Sequence, residues 1–418
     1  MSVVRLYDTT LRDGAQQEGI SFSVEDKLKI CLKLDELGID FIEGGWPGSN
    51  PKDTEFFASA QDLPLTHSAL VAFGSTRRAN SRAEEDLNLQ ALLQARTSVV
   101  TVVGKAWDKQ VTRVLETTLE ENLNMITDSM AYLRAKGLRV FFDAEHFFDG
   151  YKGNPEYALQ VVTAAAKAGA ECVVLCDTNG GSLPQQIVEA IKAVQDCFAP
   201  TTSGLATTGV SLGIHTHNDA ELAVANSLAA VEAGVIQVQG TMNGYGERCG
   251  NANLCSIIPT LKLKMGVDCI TDEQLSKLSD VSRYISELAN MPHYGRLPYV
   301  GEDAFTHKGG IHVSGLIKWG DSYQHINPEL VGNRPRVVVS ELAGKGSIIF
   351  KAKERGLPVP EGKEIEEVLK QIKLLERQGF QYDVAEASFD LLLRRAQPDY
   401  KPPFELVDFM VVVEHRER

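Results

Sequence analysis

The chain has 418 residues, of which 43% are hydrophobic and 23% are charged. These proportions are typical of a globular protein and exclude a disordered, collagen-like or coiled-coil chain. Its 42 Lys and Arg residues against 56 Asp and Glu residues give a net charge of −14. A chain this acidic has no general electrostatic attraction for nucleic acid or for anionic membrane surfaces.

Three features indicate a cytoplasmic protein. No apolar run approaches the ~20 residues that a membrane-spanning helix needs, and the first residues lack the apolar core of a secretory signal. The seven cysteines are odd in number and contain no Cys-x-x-Cys pair. Such cysteines are expected to be reduced thiols in the cytosol.

Short β-rich runs alternate with amphipathic stretches over the first part of the chain. Eight strands are predicted, at Val3–Asp8, Phe41–Gly44, His67–Phe73, Ser98–Val103, Arg139–Asp143, Cys172–Cys176, Ser211–His215 and Ile236–Gly240. Helical patterns separate them, at residues 23–38, Asp53–Ala60, Glu84–Ala95, Arg113–Lys136, Pro155–Ala168, Pro184–Cys197, Asp219–Glu232 and Asn253–Met265. Strict alternation predicts a parallel sheet covered by helices.

Eight such units in about 265 residues match the size of a (β/α)8 TIM barrel. A doubly wound sheet is the alternative, and it would normally carry a glycine-rich first turn. Here Thr9–Gly14 follow the first strand without that pattern. We therefore predict a TIM barrel over residues 1–268.

The pattern changes after residue 268. A mainly helical linker region is predicted over residues 269–402, with helices at Asp272–Asn290, Glu361–Gln378 and Ala385–Ala396 and a Gly- and His-rich stretch at His293–His325. A new apolar run, Leu406–Val413, is typical of a strand. We expect residues 403–418 to begin a further, regulatory domain that is cut short.

Polar residues follow the predicted strands at their C-terminal ends, where TIM barrels carry their chemistry. His215 and His217 are two positions apart in a strand, so both side chains project to the same side. Asp13 adds a carboxylate after the first strand. Two histidines and a carboxylate suit a metal ion with open positions for a chelating substrate. The alternative is a set of unrelated polar residues at a barrel mouth.

Three further charged residues have two interpretations each. Arg12 either forms a simple ion pair or stabilises negative charge that develops on an enolate or alkoxide. Glu43 either anchors Arg12 or acts directly in catalysis. Glu145 is a candidate general base, and a structural salt bridge is its alternative.

Three separated motifs carry a family resemblance: Tyr7–Gly14, His215–Asn218 and Asn243–Asn251. Together they resemble the alpha-isopropylmalate, homocitrate and citramalate synthases. That family belongs to a metal-dependent TIM-barrel superfamily that also contains hydroxymethylglutaryl-CoA lyase. The stretch Glu43–Asp53 is most similar to the citramalate branch, in its longer-chain subgroup.

The resemblance implies a metal site and its ligands. By this likeness Asp13, His215 and His217 bind a divalent metal (Mn²⁺, Mg²⁺, Zn²⁺ or Co²⁺), and Asn251 lies on or beside it. Arg12 is implied to contact the keto acid.

The resemblance also implies the remaining catalytic roles. Thr178 contacts the keto acid and Glu145 is the base. The stretch Phe305–His312 resembles a linker segment whose histidine reaches an active site, usually that of the partner protomer in a homodimer. Tyr323 matches a linker tyrosine with a similar role.

The reaction implied is a Claisen-type condensation of acetyl-CoA with a 2-oxo acid, which is pyruvate in the citramalate branch and feeds isoleucine biosynthesis. Phe73, Val103 and Trp107 are predicted pocket walls, and bulky apolar walls suit the methyl group of pyruvate. Isopropylmalate synthesis from 2-oxoisovalerate is the second possibility. Homocitrate synthesis is third, because it needs a cation for a distal carboxylate.

Proteins of other functional classes would carry different residues at the site. The lyases carry a reactive cysteine where this chain has Met242, and a thioether is neither an acid nor a base. A catalytically silent barrel would not need Arg12 and Asp13 intact. An aldolase or carboxylase would need a lysine at a strand end, and Lys105, whose simpler interpretation is a solvated side chain, is the one candidate there.

Overall fold

The computed structural model describes residues 3–199, 209–360, 362–397 and 399–414. Its first part is a closed barrel of eight parallel strands in the order of the sequence. These strands are β1 (Arg5–Asp8), β2 (Phe41–Gly45), β3 (Ala69–Ser75), β4 (Val99–Lys105), β5 (Arg139–Glu145), β6 (Cys172–Asp177), β7 (Ser211–Thr216) and β8 (Gln237–Gly240). The barrel closes where β1 pairs with β8, from Arg5 opposite Gln237 to Asp8 opposite Gly240. The predicted TIM barrel is confirmed.

The described residues of this part of the chain form ten α-helices. They are α1 (Val24–Leu37), α2 (Pro51–Ser59), α3 (Leu87–Gln94), α4 (Asp108–Arg113), α5 (Leu119–Ala135), α6 (Phe147–Gly153), α7 (Pro155–Lys167), α8 (Pro184–Phe198), α9 (Ala223–Glu232) and α10 (Leu254–Leu263). Local sequence sets their ends. Ser23 and Asp26 form a reciprocal capping box at the start of α1, and Gly38 ends that helix at φ 89°, a conformation that glycine adopts without steric cost.

The barrel interior below the site is filled by side chains that alternate with outward-facing ones along each strand. The buried cluster consists of Tyr7, Phe41, Val71, Val99, Phe141, Cys172, Val174 and Cys176. Because this layer is packed, ligands have access only to the strand ends above it. All seven cysteines are free thiols.

Two predicted helices differ from the observed ones. The helix predicted over Arg113–Lys136 begins later, as α5 at Leu119, because the backbone between α4 and α5 is not helical: Glu116 takes a left-handed φ of 53° and Thr118 caps α5. The stretch Asp272–Asn290 forms α11 (Asp272–Leu275) and α12 (Leu278–Leu288). The short helix α6 was not predicted, since it begins directly at the end of β5.

The described chain divides into two compact units. The first comprises Met1–Ala304 and Glu329–Asn333, and the second comprises Phe305–Pro328 and Arg334–Arg418. The second unit contains a two-stranded parallel sheet and four helices: β9 (Thr306–His307), β10 (Arg336–Val337), α13 (Gly310–Lys318), α14 (Lys345–Glu354), α15 (Lys363–Arg377) and α16 (Glu386–Arg395). The domain boundaries proposed at residues 268 and 402 stay predictions.

Within the second unit, α14, α15 and α16 enclose their own apolar core, to which Ile348, Val368, Ile372 and Phe389 contribute. The predicted helices at Glu361–Gln378 and Ala385–Ala396 are thus present as α15 and α16. Helix α13 was missed because glycine and histidine dominate its surroundings.

Residues 405–414 form no regular secondary structure, and the apolar side chains of Leu406–Val413, Asp408 apart, are exposed. The strand predicted there is not formed, because an isolated strand has no partner for its backbone groups. That residues 403–418 begin a further domain stays a prediction. In the part of the chain that the structure describes, no helix is long and apolar enough to cross a membrane.

Candidate metal centre and active site

A cavity of about 680 Å³ opens at the C-terminal ends of the barrel strands. The predicted site residues that line it are Arg12, Asp13, Phe73, Val103, Glu145, Thr178, His215 and His217. Among the described residues, Glu43, Trp107 and Asn251 do not line it. The structure therefore brings most of the predicted barrel residues around one space.

Asp13, His215 and His217 converge at the floor of this cavity. Oδ2 of Asp13 lies 3.2 Å from Nε2 of His215 and 3.9 Å from Nε2 of His217, and the two Nε2 atoms are 3.4 Å apart. All three residues are buried. In the described ranges they are the one set of three or more His, Cys, Asp or Glu residues with ligand atoms within 4.8 Å of one another.

The electrostatics of Asp13 and His217 fit a bound cation. Burial lowers the pKa of His215, but its hydrogen bond with Asp13 and the charge of that carboxylate outweigh this and raise it. Burial raises the pKa of Asp13, but the Arg12 guanidinium and the hydrogen bond with His215 outweigh it and hold that pKa well below its usual range. Burial and the neighbouring His215 lower the pKa of His217 to about 4. A carboxylate and a neutral imidazole are the ligand forms that a divalent metal requires.

Two buried polar atoms beside this group lack a partner among the described residues, and that of Asn251 strengthens the fit. Nδ1 of His217 and Oδ1 of Asn251 are buried and have no hydrogen-bond partner among the described residues. Asn251 pairs with His217 through an isolated β-bridge, which keeps the amide beside the triad. A buried polar atom without a partner is costly, and a cation is one group that Oδ1 of Asn251 would satisfy.

Arg12 lies between the triad and a buried carboxylate. Its Nε donates to Oε1 of Glu43 at 2.5 Å, and its guanidinium lies 3.9 Å from the ring centroid of Phe73. Oε2 of Glu43 accepts from the Tyr7 hydroxyl at 2.5 Å. Glu43 is fully buried, so its contacts are those of an anchor for Arg12.

Glu145 lies at the end of β5 and forms an ion pair with Lys105 across the strand pair β4–β5. Both side chains are about a quarter exposed or less and line the cavity. The interpretation of Lys105 as a solvated lysine was therefore wrong. The salt bridge that was the alternative interpretation of Glu145 is therefore present, and Glu145 lines the cavity as well.

Thr178 follows β6 and also faces the cavity. Its Oγ1 accepts a hydrogen bond of 2.8 Å from the backbone N–H of His146, so its own proton is free to point towards a ligand. The residue before this donor is Glu145, and His146 has a left-handed φ of 57°. The turn thereby links the positions of Glu145 and Thr178.

The apolar side of the cavity includes Phe73, Val103 and Trp46. The Trp46 and Phe73 rings meet edge to face at 5.3 Å, and the Trp46 indole donates to Asn88 at 2.7 Å. Sequence reasoning missed Trp46 as a wall. Trp107 instead lies outside this lining, with its ring 5.6 Å from that of His146.

His312 and Tyr323 belong to the second compact unit. Their rings stack with centroids 4.3 Å apart, which brings together the two linker residues that the sequence comparison had singled out separately.

Asp143 and Gln239 are buried polar residues of the site that sequence reasoning missed. Burial and the charge of Glu43 raise the pKa of Asp143 to about 7. Nε2 of Gln239 donates to Oδ1 of Asp143 at 3.1 Å. Asp143 is two positions before Glu145 in one strand, so period-two alternation could have identified it.

Gly180 allows the loop after β6 to approach His217, one of the three candidate metal ligands, closely. A Cβ added there would lie 2.9 Å from the carbonyl carbon of His217 and 2.8 Å from the backbone nitrogen of Asp219, and its φ is 62°. We expect Gly180→Ala to lower the free energy of unfolding by about 1–3 kcal/mol and to weaken metal binding, measured by denaturant titration and chelator competition. Gly181→Ala is the matched control, because no atom lies within 4 Å of its added Cβ. Equal effects of the two variants would contradict this account.

A closed parallel barrel with a His–His–Asp group at its C-terminal mouth defines a (β/α)8 protein with a candidate metal site. Comparison with family models agrees with this class. The HMGL-like family model matches residues 3–285, and the model of the homocitrate synthase post-HMGL domain-like family matches residues 299–379. The chain belongs to the HMGL-like family, in the group that contains the (R)-citramalate and 2-isopropylmalate synthases.

The relatives within this group differ in similarity. The chain is 52% identical to the (R)-citramalate synthase of Geobacter sulfurreducens, over 100% of this chain and 77% of that protein. It is 34% identical to the 2-isopropylmalate synthase of Sulfolobus acidocaldarius, over 92% of this chain and 94% of that protein. Among solved structures, a Bacillus subtilis HMG-CoA lyase matches with a TM-score of 0.58 and 19% identity, over 71% of this chain and 97% of the lyase chain.

Proposed function

We propose that this enzyme catalyses the reaction for which its (R)-citramalate synthase relatives are named, in which acetyl-CoA condenses with pyruvate and water to give citramalate and CoA. The observation that carries the proposal is the difference in identity. Five such synthases are 45–53% identical to the chain, whereas three 2-isopropylmalate synthases are 34–35% identical.

Asp13, His215 and His217 would hold a divalent cation such as Mn²⁺, Mg²⁺, Zn²⁺ or Co²⁺, with Asn251 beside it. When bound, the cation supplies Lewis-acid polarisation of a ketone oxygen. The protein's part is to keep these donors together in a buried space before the substrate arrives, which the short distances among the three ligand atoms support.

Arg12 provides fixed positive charge at the same place. Its guanidinium lines the cavity beside Asp13, where it would bind pyruvate and stabilise the alkoxide that forms on the ketone oxygen. Glu43 and the ring of Phe73 hold it from two sides. Because Glu43 does not reach the cavity, we assign it a positioning role.

Glu145 is the proposed general base. Its carboxylate would remove a proton from the methyl group of acetyl-CoA, and the resulting carbanion carbon would form a bond to the ketone carbon of pyruvate. Water then hydrolyses the thioester and releases CoA. Thr178 would orient the keto acid through its free hydroxyl proton, and His312 and Tyr323 are proposed to move protons in the hydrolysis.

The apolar wall gives a reason for choosing pyruvate. Phe73, Val103 and Trp46 present bulky surfaces beside Arg12, which suit a methyl group and leave less room for an isopropyl group. Seven free thiols are consistent with action in the cytosol, where we place this step of isoleucine biosynthesis.

Release of free thiol from acetyl-CoA tests the class of reaction. A synthase releases thiol only when a 2-oxo acid is present. A silent barrel releases none, a lyase instead cleaves a hydroxyacyl-CoA, and a carboxylase needs a carboxyl donor. Thiol release without a keto acid, or none with any keto acid, would remove the proposal.

We propose that the enzyme is a homodimer in which His312 acts at the partner's active site. His312→Ala and His217→Ala chains are each expected to be inactive. Mixed and allowed to exchange subunits, they should recover roughly a quarter of wild-type turnover, because half of the dimers are mixed and each has one intact site. Turnover is measured against unmixed samples. A mixture as inactive as its parents would show that the linker acts in its own subunit or that no dimer forms.

A further inference from the structure

Gln239 connects His215, one of the candidate metal ligands, to the buried carboxyl group of Asp143. It lies on β8 directly opposite His215 on β7 and is fully buried. Its Oε1 lies 2.9 Å from Nδ1 of His215, and its Nε2 donates to Oδ1 of Asp143 at 3.1 Å. Three side chains from three strands thus form one hydrogen-bonded row beside the site.

The donors and acceptors in this row determine which atom carries the proton in each hydrogen bond. In the structure the amide NH₂ of Gln239 faces Oδ1 of Asp143, which accepts from it, and the amide carbonyl faces Nδ1 of His215. A carbonyl oxygen can only accept, and the atom opposite it must therefore carry a proton. Nδ1 of His215 is that atom.

A neutral imidazole with its proton on Nδ1 has its lone pair on Nε2. In His215, Nε2 is the atom 3.2 Å from Oδ2 of Asp13, within the proposed ligand set. We propose that Gln239 is a positioning residue that fixes the metal-binding tautomer and ring orientation of His215, and that Asp143 acts by orienting Gln239. The inference rests on the metal site of the proposed function.

His217 offers an internal contrast. Its Nδ1 is buried with no hydrogen-bond partner in the part of the chain that the structure describes. The protein thus fixes the tautomer of one of the two histidines through a side chain. Removing Gln239 would leave both rings without that constraint, and loss of such partners typically weakens metal affinity 10- to 100-fold.

The test compares Gln239→Leu with Gln237→Leu. Gln237 is two positions earlier on the same strand, is equally buried, and its Nε2 has no partner among the described residues. The Kd for Mn²⁺ is measured by competition with a fluorescent chelator, and the visible spectrum of the Co²⁺-loaded protein reports the ligand geometry. Thermal melting establishes that each variant is folded.

A double variant separates positioning from a loss of structure. In Gln239→Glu with Asp143→Asn, the new amide at position 143 donates to the new carboxylate at position 239, which still accepts from Nδ1 of His215. The direction of the hydrogen bond to the imidazole is preserved although both side chains have changed. We expect this swap to keep the Kd within about threefold of wild type.

Gln239→Leu is expected to raise the Kd for Mn²⁺ by about 10- to 100-fold and to change the Co²⁺ spectrum, with Gln237→Leu unchanged. A folded Gln239→Leu protein with wild-type affinity would overturn the inference. So would a folded swap variant that binds as weakly as Gln239→Leu. A wild-type protein that binds no metal would overturn the metal site itself, which is a separate result.

Discussion

Replacing His217 with alanine should abolish tight metal binding and reduce turnover by about 10³-fold while the barrel stays folded. Lewis-acid polarisation lowers the activation free energy of such a reaction by several kcal/mol. Each 1.36 kcal/mol corresponds to a factor of ten in rate. The fold should survive because, among the described residues, Nδ1 of His217 has no partner, and its Nε2 lies against His215 and Asp13, the other two residues of the candidate metal site. Metal content after dialysis and steady-state kinetics give the two values.

His67→Ala is the matched control for this variant. His67 lies just before β3, at the end of the barrel opposite the site, with its side chain 44% exposed, and its replacement should leave metal content and turnover unchanged. A His217→Ala protein that retains full activity in excess chelator would exclude a metal role for this group.

Replacing Arg12 with glutamine should reduce kcat by about 10²–10³-fold, the usual effect of removing one donor to a developing oxyanion. The single variant also leaves the Glu43 carboxylate buried without its charge partner. Breaking one half of a buried ion pair typically costs about 3–5 kcal/mol of stability. Kinetics of this variant alone would therefore mix a catalytic effect with a folding effect.

The double variant Arg12→Gln with Glu43→Gln separates the two. It removes both charges together, and the new amide at position 43 still accepts from the hydroxyl of Tyr7, the present partner of Oε2. We expect its melting temperature to recover towards the wild-type value while kcat stays as low as in the single variant. Recovery of kcat together with stability would mean that Arg12 has only a structural role.

The barrel could be predicted because its signal is local and repeated. Each strand is a short β-rich run such as Cys172–Cys176, and each is followed by an amphipathic helix, so the alternation itself defines the topology. The strand ends then indicated where Asp13, His215 and His217 would meet. The pattern carried no signal for α6 or for the break after α4, because these depend on left-handed backbone at His146 and Glu116.

The contacts that refine the site depend on which side chains face each other across the barrel. Glu43 could be resolved as an anchor only when its burial and its contacts with Tyr7 and Arg12 were seen. Lys105 was interpreted as solvated, although the register places it beside Glu145. Gln239 stands in a short buried strand, where a polar residue signals a function only when its partners are known.

The most direct test of the central claim is the substrate preference of the purified chain with acetyl-CoA. We predict that kcat/KM is highest for pyruvate among pyruvate, 2-oxobutanoate, 2-oxoisovalerate and 2-oxoglutarate. One methylene in an apolar pocket discriminates by about 1–3 kcal/mol, so 2-oxobutanoate should be a slower substrate rather than an inactive one. A higher kcat/KM for 2-oxoisovalerate than for pyruvate would contradict the proposed activity and leave only the family assignment standing.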